Sequence, residues 1–250
     1  ISKFFFQPVI VLHLITANAY YQFIHDFPIK DGIERYYIAD NLKADDKHFT
    51  SAQKKRVVKF KSFKHKMLFF NCEKVLTSFN SLSIMSPFDG LPLRWYSDII
   101  KCEFVYLQHG ILHARLPMLY TKEKANVDKV VISSEFEREN FKTIYNFKDA
   151  DLLASGMPRF DAMATDSKAG RKLLFSPSWR KNLIGNYENN TRQLFVDKFL
   201  NSSFYRETNA FLNSKELADL LEKYDYTLDF KNHPIFRDYD KYFKVDNPRI

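Results

Sequence analysis

The sequence predicts an α/β fold in which parallel strands alternate with helices. Short apolar runs of the length of buried strands recur along the chain, for example at residues 104–107 and 129–134. Between these runs lie segments that begin with a Ser or Thr cap and carry apolar residues at helical spacing. Because parallel strands need long crossover connections, this alternation favours a parallel sheet covered by helices.

The first part of the chain contains most of the predicted elements. Strands are predicted at residues 9–15, 36–39, 75–79, 104–107, 129–134 and 151–156. Helices are predicted at residues 50–70, 95–101 and 135–145. The first of these helices begins with Thr50 or Ser51 as its cap, and the last with Ser133 or Ser134. Glu135 and Glu137 lie in the first turn of that last helix, where acidic residues are favourable.

A short polar segment with a glycine, at residues 165–171, predicts a boundary between two domains. We expect the first domain to span residues 1–165 and the second residues 171–250. In the second, we predict strands at residues 172–176 and 226–231, helices at residues 191–200 and 214–224, and a polar loop at residues 182–191. A second nucleotide-binding-type domain needs several more strands, so we expect it to be incomplete and the sequence to be a fragment.

Composition narrows the class of protein. Hydrophobic residues make up 45% of the chain, which is enough to build a core. Cys72 and Cys102 lack the spacing of zinc ligands and are predicted to be buried thiols. Residues 4–24 are apolar but include polar side chains such as Gln7 and Asn18. These would be costly in lipid, so neither a transmembrane helix nor a signal peptide is predicted.

The charge balance indicates a partner that carries phosphate. There are 38 Lys and Arg residues against 30 Asp and Glu residues, a net charge of +8. The basic residues are densest at residues 54–66, where a solvated helix face is the alternative interpretation. The interleaved Phe60, Phe63, Phe69 and Phe70 have helical spacing, which predicts a core-facing stripe rather than a platform for stacked bases.

The strand at residues 104–107 runs directly into Gln108, His109 and Gly110. Ligands of parallel α/β sheets bind at the carboxyl ends of the strands, so His109 is a candidate for acid–base chemistry. Gly110 would let backbone N–H groups approach an anion, and Arg115 would add a fork that matches phosphate. The alternative interpretation is a core histidine beside an ordinary turn glycine.

Three further strand ends carry polar motifs of the same kind. They are residues 156–161 (Gly-Met-Pro-Arg-Phe-Asp), residues 177–180 (Pro-Ser-Trp-Arg) and residues 231–234 (Lys-Asn-His-Pro). Together with the His-Gly pair, these ends place histidines, arginines and a lysine at the ligand-binding edges of two α/β units. Converging cations suit a pyrophosphate, whose charge they offset during phosphoryl transfer.

The order of these four motifs resembles that of the CDP-glycerol glycerophosphotransferases, which build teichoic acids and related polymers. The resemblance covers roughly residues 70–240. It implies a GT-B-like α/β architecture, with two Rossmann-like parallel-sheet domains that face a cleft, the second being truncated. It also implies transfer of glycerol phosphate, or a related alditol phosphate, from CDP-glycerol or another CDP-alditol to an acceptor hydroxyl, with release of CMP. No cofactor and no metal are expected.

The resemblance assigns roles to individual residues. His109 matches the histidine of the His-Gly pair, the candidate general base, and His233 matches the His-Pro histidine, taken to contact the donor pyrophosphate. The substrate-binding residues that we expect are Gln108, Gly110, Arg115, Arg159, Asp161, Ser178, Trp179, Arg180 and Lys231. An in-line attack at phosphorus needs both a base on the acceptor and positive charge around the departing CMP.

The sequence also departs from the family pattern. Many members have Trp before the His-Gly pair and Pro-Leu-Lys after it, whereas Gln108 precedes the pair here and Arg115 stands where it would replace the lysine. The family's later Asp-Tyr-Ser-Ser stretch, which helps to hold the donor, does not occur in this sequence. The acceptor or the alditol could therefore differ from those of other members.

The family's acceptors are lipid-linked or polymeric. This implies a cytoplasmic enzyme that is peripheral on the inner face of the plasma membrane, with an anionic membrane surface as a partner of its basic residues. Nucleic acid is not an expected partner, because no recognition motif is present. A GT-B glycosyltransferase that uses a nucleotide sugar and a basic nucleic-acid-binding protein are the two alternatives. His109 and His113 are four residues apart, but a loop does not give this spacing the geometry of a metal pair.

Overall fold

The computed structural model describes residues 10–14, 17–40, 48–112, 115–164, 170–188 and 191–250. The chain divides into two compact units, Ile1–Asp166 and Ser167–Ile250. Most of the segment in which we predicted a domain boundary, residues 165–171, lies outside the described residues. Each unit has strands and buried clusters of its own.

A parallel sheet forms the centre of the first unit. In the described part of the chain its strands are β1 (Ile10–Leu14), β2 (Glu34–Ala39), β3 (Val57–Lys59), β4 (Lys74–Thr77), β5 (Glu103–Tyr106), β6 (Lys129–Val131) and β7 (Leu152–Leu153). They lie in the order β3-β2-β1-β4-β5-β6-β7, and each neighbouring pair is parallel. The predicted α/β class is therefore confirmed. The strand order reverses between β1 and β4, and sheets of this kind bind ligands beside such a reversal, at the carboxyl ends of the strands.

Helices connect the strands and cover both faces of the sheet. Those in the described residues are α1 (Ala17–Asp26), α2 (Ser51–Lys54), α3 (Phe63–Asn71), α4 (Leu82–Met85), α5 (Gly90–Tyr96), α6 (Pro117–Tyr120), α7 (Glu135–Thr143) and α8 (Arg159–Ala164), with 3-10 turns at Ser97–Ile99 and Asp149–Asp151. Phe104 and Tyr106 of β5 pack in one buried cluster, whereas Val105 and Leu107 pack with Ala19 of α1 in another. Since alternate residues of a strand lie on opposite faces, a strand buried on both faces is continuously apolar in sequence.

The region predicted as one helix over residues 50–70 is a helix, a strand and a second helix, so this prediction was wrong. The β-branched pair Val57 and Val58 forms β3, which pairs with β2. Lys61 then has a left-handed backbone with φ of +59°. Ser62 follows as the cap of α3, its hydroxyl accepting the N–H of His65.

The phenylalanine stripe is also only partly as predicted. Phe69 is buried, and Phe60 and Phe70 pack against the same cluster. Phe63, however, is 79% exposed, so the prediction was wrong for this residue. The exposed ring of Phe63 lies at the start of α3, among the lysines of that segment.

The second unit is built on one parallel strand pair and an antiparallel hairpin. The pair is β8 (Lys172–Phe175) with β11 (Thr227–Phe230), and the hairpin is β9 (Ile184–Glu188) with β10 (Thr191–Leu194). The other elements of its described residues are α9 (Val196–Leu200), α10 (Ser203–Leu212), α11 (Lys215–Lys223) and the 3-10 segments Lys181–Leu183 and Pro234–Tyr242.

The hairpin corrects two predictions, the polar loop at residues 182–191 and the helix at residues 191–200. That helix begins only at Val196, and α10 was not predicted. In the hairpin, a Cβ added at Gly185 would lie 2.7 Å from Cβ of Gln193. Glycine at this position therefore permits the two strands to approach each other closely.

Two predictions from composition can be compared with the fold. Cys72 and Cys102 are both buried free thiols, as predicted. Among the residues that the structure describes, no helix has the length and apolar character needed to span a bilayer.

The burial of His65 leads to a prediction of how the stability of the first unit depends on pH. The residue is fully buried, and its Nδ1 accepts the backbone N–H of Lys61. Burial lowers the pKa of His65 from 6.5 to about 4. Burial favours the neutral form of His65 in the folded state. We therefore expect the contribution of neutral His65 to the free energy of unfolding to be complete above pH 6.5 and to be lost as the pH falls towards 4. The full loss is about 3 kcal/mol, and urea unfolding at a series of pH values would measure it.

The control for this experiment is His25, which lies on the same unit with its side chain 70% exposed. In His65→Leu, the difference in unfolding free energy between pH 7 and pH 4.5 should shrink, because the buried titrating group is gone. In His25→Gln it should remain that of the wild type. An unchanged pH dependence in His65→Leu would contradict the assignment.

Candidate functional site

The chain turns sharply where β5 ends. Gln108 has a left-handed backbone with φ of +58°, a conformation that is unfavourable for a residue with a side chain. Gly110, by contrast, is not in that region. A Cβ added to Gly110 would meet nothing within 4 Å, so the space beside this residue is open to a ligand.

The side chain of Gln108 holds this turn. It is fully buried, and its Nε2 donates to the carbonyl of Val131 at 2.6 Å and to Oε1 of Glu137 at 2.9 Å. The Gln108 carbonyl accepts from Nδ2 of Asn18, at the start of α1, at 2.6 Å. The amide nitrogen of Gln108 is thus already hydrogen-bonded within the unit. Direct contact of Gln108 with substrate stays a prediction.

Glu137 is the hub of the same network. It is 2% exposed, and besides Gln108 it accepts the N–H groups of Leu112, at 3.1 Å, and Ser133, at 2.7 Å. Its own N–H donates to the hydroxyl of Ser134, the cap of α7. The N-terminus of a helix favours a negative charge. Glu137 thus ties the loop after β5 to the end of β6.

The turn presents His109 at the surface of the unit. The imidazole is exposed, and its Nδ1 lies 3.1 Å from Oη of Tyr106. Nη1 of Arg159, at the start of α8, donates to the His109 carbonyl at 2.9 Å. Gly156, just before α8, has a φ of +72°, which suits glycine and re-aims the chain after β7. The structure therefore brings two of the predicted site residues, His109 and Arg159, together.

Two other predicted residues of the first unit, Asp161 and Arg115, lie at exposed positions. Asp161 is exposed on α8, and Arg115 is exposed after residues 113–114, which lie outside the described residues. His113, which was considered as the partner of His109 in a metal pair, is one of these undescribed residues. Within the described ranges, no three His, Cys, Asp or Glu side chains are grouped so that they could hold a metal ion.

In the second unit, the ends of β8 and β11 lie side by side. The N–H of Lys231 donates to the carbonyl of Phe175 at 3.0 Å. The rings of Trp179 and His233 have their centroids 6.1 Å apart. The Pro-Ser-Trp-Arg and His-Pro motifs, more than fifty residues apart in sequence, are thus neighbours.

His233 has a defined hydrogen-bonding state. Its Nδ1 accepts the backbone N–H of Ile235 at 3.2 Å. A backbone N–H can only donate, so Nδ1 carries no proton and the proton of the neutral ring is on Nε2. His233 can therefore donate a hydrogen bond through Nε2.

A pocket of about 440 Å³ lies beside this histidine. Lys231 and Arg237 supply its cationic lining, together with buried Asn232, whose Nδ2 donates to Asp240 at 2.8 Å. Arg237 was not predicted, because it follows the His-Pro motif without a pattern of its own.

Ser178 and Arg180 are exposed at the end of β8. Nη1 of Arg180 donates to the Ser178 carbonyl at 2.8 Å, and its guanidinium lies 5.4 Å from the centre of the Phe204 ring. Both contacts hold the Arg180 side chain in place and leave the other guanidinium N–H groups available to a ligand.

Sequence reasoning missed the three buried residues that shape the first site, Asn18, Tyr106 and Glu137. Glu137 had a usable signal, because Ser134 followed three residues later by Glu is a capping-box pattern. Asn18 and Tyr106 had none, since their partners are fixed only by the packing of the sheet.

Two comparisons with known proteins bear on this site. The family model described as CDP-Glycerol:Poly(glycerophosphate) glycerophosphotransferase matches residues 22–247. Minor teichoic acid biosynthesis protein GgaB of Bacillus subtilis (strain 168) is 29% identical over 221 residues, which are 87% of this chain and 24% of GgaB. The chain therefore spans about a quarter of the length of this relative.

Solved structures of the wall teichoic acid polymerase TagF share the fold. One TagF variant has a TM-score of 0.59 at 12% identity, over 92% of this chain and 57% of that one, and the same variant soaked with CDPG gives the same values. Another TagF structure has a TM-score of 0.58 at 11% identity. The resemblance found in the four motifs is thus confirmed, and the chain belongs to the CDP-glycerol:poly(glycerophosphate) glycerophosphotransferase family.

Proposed function

We propose that this chain carries the catalytic part of an enzyme that transfers glycerol phosphate, or a related alditol phosphate, from CDP-glycerol or another CDP-alditol to an acceptor hydroxyl. The observation that carries the proposal is the grouping of the four motifs into two polar edges, His109 with Arg159 and His233 with Trp179. Family membership supports it, as do a relative named for teichoic acid biosynthesis and a TagF variant soaked with CDPG.

In this proposal His109 is the general base. The acceptor hydroxyl oxygen attacks the phosphorus that carries the glycerol, and a new P–O bond forms. The bond from that phosphorus to the bridging oxygen breaks, and CMP leaves with the electron pair. The hydroxyl proton passes to the His109 imidazole, which is exposed and therefore accessible to an acceptor.

His233 and the cations of the second unit stabilise the negative charge of the donor. His233 donates through Nε2 to a phosphate oxygen, since its Nδ1 is occupied by Ile235. Lys231 and Arg237 line the adjacent pocket and offset the charge of the pyrophosphate. Gly110, Arg115, Asp161, Ser178, Trp179 and Arg180 complete the proposed binding residues.

CMP release is the measurement that tests the proposed reaction. Purified full-length protein should release CMP from CDP-glycerol or CDP-ribitol in the presence of candidate acceptors. His109→Ala should lower turnover about a hundredfold to ten-thousandfold and still bind CDP-glycerol, because a general base contributes to the chemical step. His233→Ala should weaken donor binding as well. His25→Gln, at a residue whose side chain is 70% exposed and that belongs to none of the four motifs, is the matched control and should keep wild-type values.

Other outcomes would favour the alternatives. Release of UDP from a UDP-sugar, without CMP from CDP-alditols, would indicate a glycosyltransferase. Salt-sensitive binding of nucleic acid that CDP-glycerol does not displace would indicate a nucleic-acid-binding protein. Wild-type turnover in His109→Ala would eliminate the proposed base.

We further propose that the enzyme works on the cytoplasmic face of an anionic membrane, where a lipid-linked acceptor would lie. Helix α3 exposes Phe63 and Met67, and the segment of α5 and the turn after it exposes Leu91, Trp95 and Ile99. Phe63 and Met67 are four apart in α3, and Leu91 and Trp95 are four apart in α5, so each pair lies on one side of its helix. Ile99 follows in the 3-10 turn after α5. We call these five residues the α3–α5 surface.

The two parts of the α3–α5 surface are on neighbouring elements. The ring of Phe70 in α3 lies 5.5 Å from that of Tyr96 in α5. Lys64, Lys66 and Arg94 belong to the same two helices and supply positive charge. Exposed aromatic and aliphatic side chains enter the interfacial region of a bilayer, and each nearby cation contributes about 1 kcal/mol at an anionic surface. This combination fits an anionic bilayer.

Vesicle flotation would test this surface. Phe63→Glu combined with Trp95→Glu should weaken binding to anionic vesicles by at least about tenfold, because two apolar contacts are lost and two like charges are added. Leu220→Glu, at a 46% exposed apolar residue of α11, is the control and should bind as the wild type does. Equal binding to neutral and anionic vesicles would contradict the electrostatic contribution.

A further inference from the structure

The backbone turn at Gln108 decides on which face of the sheet the His109 ring lies. Tyr106 is the last residue of β5 and His109 follows three residues later, so in a regular strand the two side chains would lie on opposite faces. The left-handed backbone of Gln108 brings His109 back to the side of Tyr106. As a result, Oη of Tyr106 lies 3.1 Å from Nδ1 of His109, with the ring centroids 6.4 Å apart.

This contact decides which nitrogen of His109 is available. Tyr106 is 2% exposed and occupies Nδ1, whereas the imidazole as a whole is exposed. A substrate can therefore approach Nε2. A neutral imidazole carries one proton, and a general base needs an unprotonated nitrogen towards the substrate. If Nε2 takes the proton, Nδ1 must already carry one.

The Tyr106 hydroxyl is suited to accept that Nδ1 proton. The ring of Tyr120 stacks on that of Tyr106, with the ring centroids 6.3 Å apart and an interplanar angle of 28°. A hydroxyl can donate one hydrogen bond and accept another. Burial, with Tyr120 and Glu137 nearby, raises the pKa of Tyr106 far above its ordinary value, so the phenol stays neutral.

We propose that Tyr106 is a positioning residue, which accepts the Nδ1–H of His109 and so makes Nε2 the atom that takes the acceptor's proton. This inference rests on the proposed role of His109 as general base. It gives His109 the tautomer opposite to that of His233, whose Nδ1 accepts the N–H of Ile235. One histidine is thereby set to take a proton through Nε2, and the other to donate a hydrogen bond through Nε2.

The tautomer can be measured without any turnover. In protein labelled with ¹⁵N-histidine, near neutral pH, the His109 signals are identified by their loss in His109→Asn. Long-range ¹H–¹⁵N correlations should show a proton on Nδ1 of wild-type His109. In Tyr106→Phe the tautomer equilibrium of His109 should shift towards the form with its proton on Nε2. A wild-type His109 with its proton on Nε2 would overturn the inference.

Kinetics provide the second measurement. Tyr106→Phe in the full-length protein should lower kcat for CMP release about tenfold, the loss of one hydrogen bond, with KM for CDP-glycerol unchanged. The matched control is Tyr36→Phe in the same sheet, whose hydroxyl contacts Glu34 and Arg56, and it should change neither constant. Tyr120→Phe should give a smaller loss, because it alters a neighbour of Tyr106 and leaves the contact between Tyr106 and His109 in place.

The two measurements separate the inference from the proposed function. A Tyr106-dependent Nδ1–H tautomer in a protein whose CMP release does not depend on His109 would overturn the proposed base, and with it the catalytic part of this inference. His109-dependent CMP release with an unchanged tautomer and kcat in Tyr106→Phe would overturn the role of Tyr106 alone.

Discussion

The buried hydrogen bonds of Gln108 are the constraint on which the site of the first unit depends. A left-handed backbone at a residue with a side chain costs about 1–3 kcal/mol. The bonds of Gln108 to Val131, Glu137 and Asn18 offset that cost, at about 1 kcal/mol for each net bond and more where the partner is a carboxylate. Without them the chain would leave β5 in extended form, and the imidazole would lie on the other face of the sheet. The geometry of the exposed residue is therefore set by buried ones.

The architecture also restricts where chemistry can take place. Both faces of the parallel sheet are covered by helices, so functional side chains are confined to the ends of the strands. His109 follows β5 and His233 follows β11, in two units with separate buried clusters. Each histidine is fixed by a contact made at Nδ1, but with a different kind of partner. A backbone N–H can only donate, so its contact with Nδ1 fixes the histidine tautomer by itself. A hydroxyl can donate or accept, so its contact alone does not fix the tautomer.

Local sequence predicted much of this arrangement. The apolar runs at β5 and β6 indicated buried strands because a strand covered on both faces has no polar alternation, whereas β11 alternates Thr227 and Asp229 with Leu228 and Phe230. The motifs at their ends therefore pointed to the carboxyl edge, where the structure has His109 and Arg159 in contact. The helix predicted over residues 50–70 was wrong, since pairing of β3 with β2 outweighs the helix propensity of that segment. The hairpin at Gly185 was missed for the same kind of reason.

What the sequence by itself determined is the α/β class, the order of the motifs and the family that they identify. Only the tertiary structure decided how the motif residues are held. Asn18 and Gln108 are 90 positions apart in sequence, and Gln108 and Glu137 are 29 apart. No local pattern relates such residues, because the sheet and the helix packed on it bring them together. Gln108 was expected to bind substrate, which stays a prediction, and its buried side chain also supports the turn that carries the neighbouring histidine.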